Sequence, residues 1–133
     1  MTGYLVDTDW IIDALHGQHD ALQTLVTINP KGVAVSVVSY GELYHGAYYA
    51  SDPATALANI ESFMRGKVLL PITAPIAVQF GIMRGNLSRQ QRSQIGDMDL
   101  LIAATAIVHD LTLVTRNLRD FQLIAGLDLH QSS

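Results

Sequence analysis

Asp97 and Asp99 stand two residues apart in IGDMDLLIAATA, immediately before and at the start of a run that is otherwise almost wholly apolar. Asp7 closes the apolar GYLVDT, Glu42 lies within SVVSYGELYHGA, and Asn117 and Asp120 sit in TRNLRDF. Carboxylates gathered in one place repel one another, so such a set either keeps a proton or holds a cation. The donors here are all oxygens, because the chain has no cysteine and His16, His19, His45, His109 and His130 show no ligand spacing. Hard-oxygen sites of that kind suit Mg2+ or Mn2+ better than zinc. Mg2+ takes one or two carboxylates directly and keeps several waters, which leaves further acids to hold those waters or a second ion. An ion so placed activates water and clamps a phosphate diester for in-line displacement. Phosphodiester hydrolysis is the chemistry these residue types point to.

Each acid also has a plainer explanation. Asp97 follows Gly96 and precedes a helix, so it reads first as an N-cap with at most a secondary role at a metal. Asp99 is harder to explain that way once Asp97 supplies the cap. Asp7 at a strand end reads as functional, whereas Thr8 and Asp9 beside it are good helix caps. Glu42 follows Ser39 by three residues and fits a capping box as well as a site. Asp120 taken alone is a surface or helix-start acid. Arg84, Arg89 and Arg92 read either as a solvated helix face or, from their place just before the acidic motif, as contacts to a nucleic-acid backbone. Arg116 shares the second reading. Tyr40, Tyr44, Tyr48 and Tyr49 read as packing, in the core or against a second copy, ahead of base stacking.

The elements that must position these groups follow from periodicity. A strand over 4–6 stops at Asp7, and helical spacing of Trp10, Ile11, Ala14 and Leu15 follows it, with Gly17 as a stop. A second short helix over 20–28 ends at Asn29-Pro30. The β-branched cluster Val33, Val35, Val37 predicts another strand, after which Ser36 or Ser39 caps a helix through Glu42 to about Tyr49. Asp52-Pro53 opens a further helix that Gly66 ends. VLLPIT reads as a third strand, 74–87 as a long helix, SRQQRSQIG as a polar segment, and 99–109 as a helix apolar nearly all round and therefore buried. A fourth strand over 111–114, a helical turn over 118–124 and a small fifth strand over 127–129 complete the chain.

Short apolar strands alternating with helices predict an α/β fold: a three-layer α/β/α sandwich around a short, mainly parallel sheet. Sites in such sheets lie outside the carboxyl ends of the strands. Asp7, Glu42, the 97–99 pair and the 117–120 segment all fall near those ends, so a parallel sheet would bring them to one edge although they are far apart in sequence.

Composition sets the outer limits. No linker or charge block divides the chain, so 1–133 reads as a single domain. Apolar residues make up 49% and charged residues 15%, enough non-polar surface for a core and too little charge for disorder. The absence of cysteine suits a reducing cytoplasm, MTGYLVDTDW is not a signal peptide, and the run over 100–108 is far short of the roughly 20 residues of a membrane span. A net charge of −4 argues against a broad phosphate-binding surface. Arg84, Arg89, Arg92, Arg116 and Arg119 nevertheless cluster in the second half, which leaves room for a basic rim around an acidic site.

LVDTDWIIDAL, SVVSYGELYHGA, IGDMDLLIAATAIVHDLTLVTRNLRDF and the closing GL together resemble a PIN domain, specifically a ribonuclease toxin of the VapC type. The resemblance spans essentially the whole chain, and its specificity lies in the ordered set. It implies an α/β/α sandwich, Mg2+- or Mn2+-dependent cleavage of RNA, a homodimer, and neutralisation by a small antitoxin encoded alongside. It makes Asp7 and Asp99 the metal-binding acids and Glu42 the other acid of the catalytic set, with Asp97 where the family varies and Asn117 and Asp120 in the region of the fourth polar position. Asp9 and Arg116 stand where many members carry Asn. Two rivals come with it: a PIN-fold module that binds RNA or antitoxin without catalysis, and a phospho-aspartate phosphatase suggested by VDTDW, whose chemistry wants a lysine at a later strand end.

Overall fold

The computed structural model describes residues 3–131. Strand β1 (Tyr4–Val6) leads into α1 (Thr8–Leu15) and α2 (His19–Ile28), and a 3-10 turn, Asn29–Lys31, brings the chain to β2 (Val33–Ser36). Helices α3 (Val37–Tyr48) and α4 (Pro53–Met64) precede β3 (Val68–Leu70). Helices α5 (Ala74–Asn86), α6 (Arg89–Gln94) and α7 (Asp97–Val108) precede β4 (Thr112–Val114), and α8 (Leu118–Phe121) follows it.

The strands form one parallel sheet in the order β3-β2-β1-β4, with Leu5 opposite Ala34 on one side and Leu113 on the other. The chain steps outward from β1 to β3 and then returns past β1 to lay down β4. The order therefore reverses at β1, the position at which open parallel sheets form a crevice beyond their carboxyl ends. Alternation along the strands splits the core in two. Val6, Val33, Val35 and Val114 pack with α1, α2 and α4 through Trp10, Ile11, Leu25, Ile28 and Ile60. Leu5, Ala34 and Leu113 pack on the opposite face with α5, α7 and Phe121 of α8. This is the α/β/α sandwich expected from the sequence.

Helix α7 explains the unbroken apolar run. Leu100, Ile102, Ala103, Ala104 and Ala106 are wholly buried, because the sheet covers one side of the helix and α5 the other. Each large aliphatic side chain so buried contributes about 1.5–3 kcal/mol, and the two acids at the head of α7 ride on that fixed body.

Several expectations need correction. The cap of α1 is Asp7, whose carboxylate accepts from the Thr8 amide, and not Thr8 or Asp9. Gly96 occupies the N-cap of α7 with no side-chain bond, so Asp97 is the first helical residue and not the cap. Val37 begins α3 instead of ending β2, and Ser36 caps that helix. Glu42 therefore lies mid-helix and forms no capping box with Ser39. The polar segment before the acidic motif contains α6, closed by a capping box between Ser88 and Gln91. The fifth strand shrinks to a single bridge between Leu113 and Leu129. β3 is an edge strand with Val68 58% exposed, not an element buried on both faces. Tyr44, Tyr48 and Tyr49 are exposed, which removes the core half of their reading.

Candidate active site

The carboxyl edge of β1 and β4 is stitched together around Asp7. Its amide donates to the carbonyl of Val114 at 2.9 Å. One carboxylate oxygen accepts from the Thr8 amide at 2.8 Å and the other from the Thr115 hydroxyl at 2.7 Å, so Asp7 serves as helix cap and buried anchor together. Thr115 in turn accepts from the Asn117 amide at 3.0 Å, which fixes its single proton on Asp7. A carboxylate oxygen has more than one lone pair, so each oxygen of Asp7 keeps acceptor capacity toward a cation.

Glu42 is brought to the same place by α3. Thr8 Oγ1 lies 2.6 Å from Glu42 Oε1 and 2.9 Å from Ser39 Oγ. A hydroxyl has one proton, so Thr8 donates to the carboxylate and the Ser39 hydroxyl serves as its partner on the other side. Ser39 and Glu42 are three residues apart on α3 and therefore share the face turned toward α1.

Asp99, in the first turn of α7, completes the convergence. Its carboxyl is pushed up to about 6 from 3.8 by partial burial and by the negative charges of Asp7, Glu42, Asp9 and Asp120. Asp7 is also raised, chiefly by burial, against the opposing effect of its hydrogen bonds. Acids from β1, α3, α7 and the segment after β4 thus share one field. Like charges held in a desolvated cleft without a counter-charge are the electrostatic demand that a cation meets. Among the described residues no three acidic or imidazole side chains stand close enough to enclose one ion. The fit rests on donor chemistry: all-oxygen carboxylates suit Mg2+ or Mn2+, ions that take one or two carboxylates and keep their waters.

The secondary positions separate. Asp120 accepts from Gln94 at 2.8 Å and from the Asn117 amide group at 2.9 Å, and these bonds, Gln94 first, hold its pKa below the ordinary value. Asp97 points to solvent and accepts from Arg84 Nε at 3.0 Å. Arg89 and Arg92, on α6, are exposed and form no ion pair among the described residues. Arg116 donates from Nε to Asp13 at 2.7 Å and from its two terminal nitrogens to the two oxygens of Asp20 at 2.6 and 2.9 Å, with its guanidinium carbon 4.0 Å from the centre of the Trp10 ring. Lys67, the lysine a phosphatase would need, sits at the start of β3 on the opposite edge of the sheet, with Nζ donating to the Phe63 carbonyl.

Sequence reasoning missed Thr115 and Gln94, and weighed Thr8 and Ser39 only as caps. The one available signal was a hydroxyl immediately after the apolar end of β4 in LVTRN, a place where a polar side chain reaches the sheet edge.

Residues 4–127 match the PIN domain. Over 127 residues the chain is 32% identical to Ribonuclease VapC2 of Haemophilus influenzae, covering 96% of each protein. It is 31% identical, with the same coverage of both, to the tRNA(fMet)-specific endonuclease VapC of Shigella flexneri. Among solved structures, the DNA-bound VapBC of Salmonella typhimurium superimposes with a TM-score of 0.87 at 27% identity over 98% of both chains. A full-length match in sequence and in fold leaves one assignment: the chain belongs to the PIN-domain family, within its VapC-type ribonucleases.

Proposed function

We propose that the chain is a divalent-metal-dependent endoribonuclease that acts in the cytoplasm as the toxin of a type II toxin–antitoxin pair. The observation that carries the reading is the convergence of Asp7, Glu42 and Asp99 on one cleft, where burial first and then the neighbouring negative charges push Asp99 up to about 6, a demand that a cation meets. Asp7 and Asp99 would hold Mg2+ or Mn2+, which supplies Lewis acidity toward water and phosphate. Glu42, oriented by Thr8 and Ser39, is free on its second oxygen to accept a proton from the attacking water. Thr115 favours the ionised form of Asp7 against the effect of burial and fixes the carboxylate in place. Arg84, Arg89 and Arg92 supply positive charge along α5 and α6 for the RNA backbone, and Arg84 must exchange Asp97 for phosphate to do so.

Solved VapBC relatives support a small antitoxin as partner. An apolar groove lined by Ile12, Leu15, Leu43, Ala47 and Ile60 opens beside Glu42 and offers such a partner non-polar surface next to the acids. Exposed Tyr48 and Tyr49 on α3 suit a contact between two copies in a homodimer.

The test is cleavage of structured RNAs by the purified protein, with initiator tRNA first because the Shigella relative is specific for it. Cleavage with Mg2+ that disappears in EDTA and in a folded Asp99→Asn variant supports the reading. Full activity in EDTA sinks it, and no binding of Mn2+ at millimolar concentration favours a non-catalytic binding module instead.

A further inference from the structure

The segment after β4 carries a device that the acidic site does not itself require. Arg116 follows Thr115, the residue that grips Asp7, and precedes Asn117, which holds both Thr115 and Asp120. Its guanidinium crosses to the other helical layer, where it forks onto Asp20 at the start of α2, bonds Asp13 in α1, and covers Trp10. Every nitrogen of the group is committed, and two hydrogen bonds to one carboxylate fix its plane as well as its position. Asp20 is held below its ordinary pKa by this contact, first through the hydrogen bonds and then through charge. The Asp13 contact is partly shielded, with 32% of each side chain exposed, whereas Asp20 is 63% exposed.

We propose that Arg116 is a positioning residue for the nuclease site: by clasping Asp13, Asp20 and Trp10 it fixes the segment from which Thr115 and Asn117 hold Asp7 and Asp120. This replaces the reading of Arg116 as an RNA contact, because each of its three nitrogens already donates to a protein carboxylate of the α1–α2 layer. The inference rests on the ribonuclease reading for its kinetic consequence but not for its structural one. α1 is capped by Asp7, carries Trp10 and Asp13, and is thereby tied at two points to the chain leaving β4. A side chain that holds the partner of a metal ligand acts as an outer shell, and losing such a partner costs about 10- to 100-fold in metal affinity or activity.

The experiment compares Arg116→Met, Arg116→Lys and Asp20→Asn with the wild-type protein in RNA cleavage and in calorimetric titration with Mn2+. Trp10 is the only tryptophan, so its fluorescence reports whether the clasp is open. Arg116→Met should lower kcat about 10- to 100-fold and weaken Mn2+ by a similar factor, with KM for RNA within about twofold of wild type. Asp20→Asn, which leaves Arg116 in place, should shift kcat and Mn2+ affinity in the same direction, and Arg116→Lys should rescue only partly because an ammonium does not fork. An RNA contact predicts the reverse: raised KM with kcat intact for Arg116→Met, and tighter RNA for Asp20→Asn as the guanidinium is freed. That pattern overturns the proposal. Asp52→Ala, which removes the distant cap of α4, controls for stability; if it and Arg116→Met lower Tm alike while kcat and Mn2+ affinity stay unchanged, the clasp is only structural and the proposal fails. Should wild type cleave no RNA, the ribonuclease reading falls, and Mn2+ affinity together with Trp10 fluorescence still decides the clasp.

Discussion

Asp7 and Asp99 look into the same cleft from opposite layers, but they are held by different means. Asp7 is 4% exposed, and both of its oxygens accept hydrogen bonds from neutral donors. Asp99 is half-buried, and among the described residues its carboxylate accepts none; its position comes from the buried body of α7 beneath it. The β1–β4 side is therefore pre-organised by hydrogen bonds, which only partly offset the burial that raises the Asp7 carboxyl, whereas the α7 side is placed by packing and accepts no such bonds. A cation has most to gain at Asp99 and least rearrangement to cause at Asp7.

Breaking the Asp7 side should have the largest effect. Thr115→Val is nearly isosteric, but it strips Asp7 of a donor and the Asn117 amide of an acceptor in a buried spot. Unsatisfied buried polar groups cost about 1–3 kcal/mol, and that loss should appear in denaturant unfolding. Activity should fall with it. Thr115→Ser restores the hydroxyl and should recover both, which separates the hydrogen bond from the shape of the side chain. Wild-type stability in the valine variant would mean that Asp7 is held by the strand pairing alone.

The Asp99 side should show in the pH dependence of stability, in the same direction as the raised Asp7 carboxyl. Its folded pKa of about 6 lies above the ordinary 3.8, so the folded protein keeps a proton that the unfolded chain has released. The stabilisation tied to that proton is present below the ordinary value and is lost as pH rises through the folded one. After discounting for the exposure of the group, metal-free wild type should lose on the order of 1 kcal/mol relative to Asp99→Asn between pH 4 and 6. The comparison with the variant is needed because Asp20, Asp52, Glu61 and Asp120, all shifted downward, contribute the reverse slope at lower pH. Added Mn2+ should abolish the loss at neutral pH. Parallel pH curves for the two proteins would show that the field at Asp99 is screened away.

How much of this contrast was visible in the amino acids depends on the kind of interaction. The buried helix, the strand ends and the convergence of Asp7, Glu42 and Asp99 at one edge followed from apolar periodicity and from the rule for parallel sheets, because those signals are repeated along the chain. α6 escaped because SRQQRSQ has no apolar stripe; its capping box and its junction with α7 hold it in place. The hydroxyls of Thr8, Ser39 and Thr115 escaped for another reason. A lone hydroxyl carries no period, and its partner lies 31 to 108 residues away. The ion pairs of Arg116 were not legible because charge alone does not tell a guanidinium facing solvent from one bonded to Asp13 and Asp20.

Asp97 provides the smallest and most discriminating case. As an N-cap it would lose a backbone hydrogen bond on substitution by alanine, about 1 kcal/mol that salt hardly changes. As the first residue of α7, paired at the surface with Arg84, it contributes only through that ion pair and through the helix dipole. Exposed pairs amount to about 0.2–1 kcal/mol and dipole effects to about 0.3–1 kcal/mol at low ionic strength, and both fade as salt is added. Asp97→Ala should therefore cost about 0.5 kcal/mol in dilute buffer and almost nothing at about 1 M salt, where the Debye length falls to about 3 Å. The same variant frees Arg84, so RNA should bind it more tightly in dilute buffer. A salt-independent loss of stability would return Asp97 to the role of cap, and unchanged RNA affinity would remove Arg84 from the basic rim.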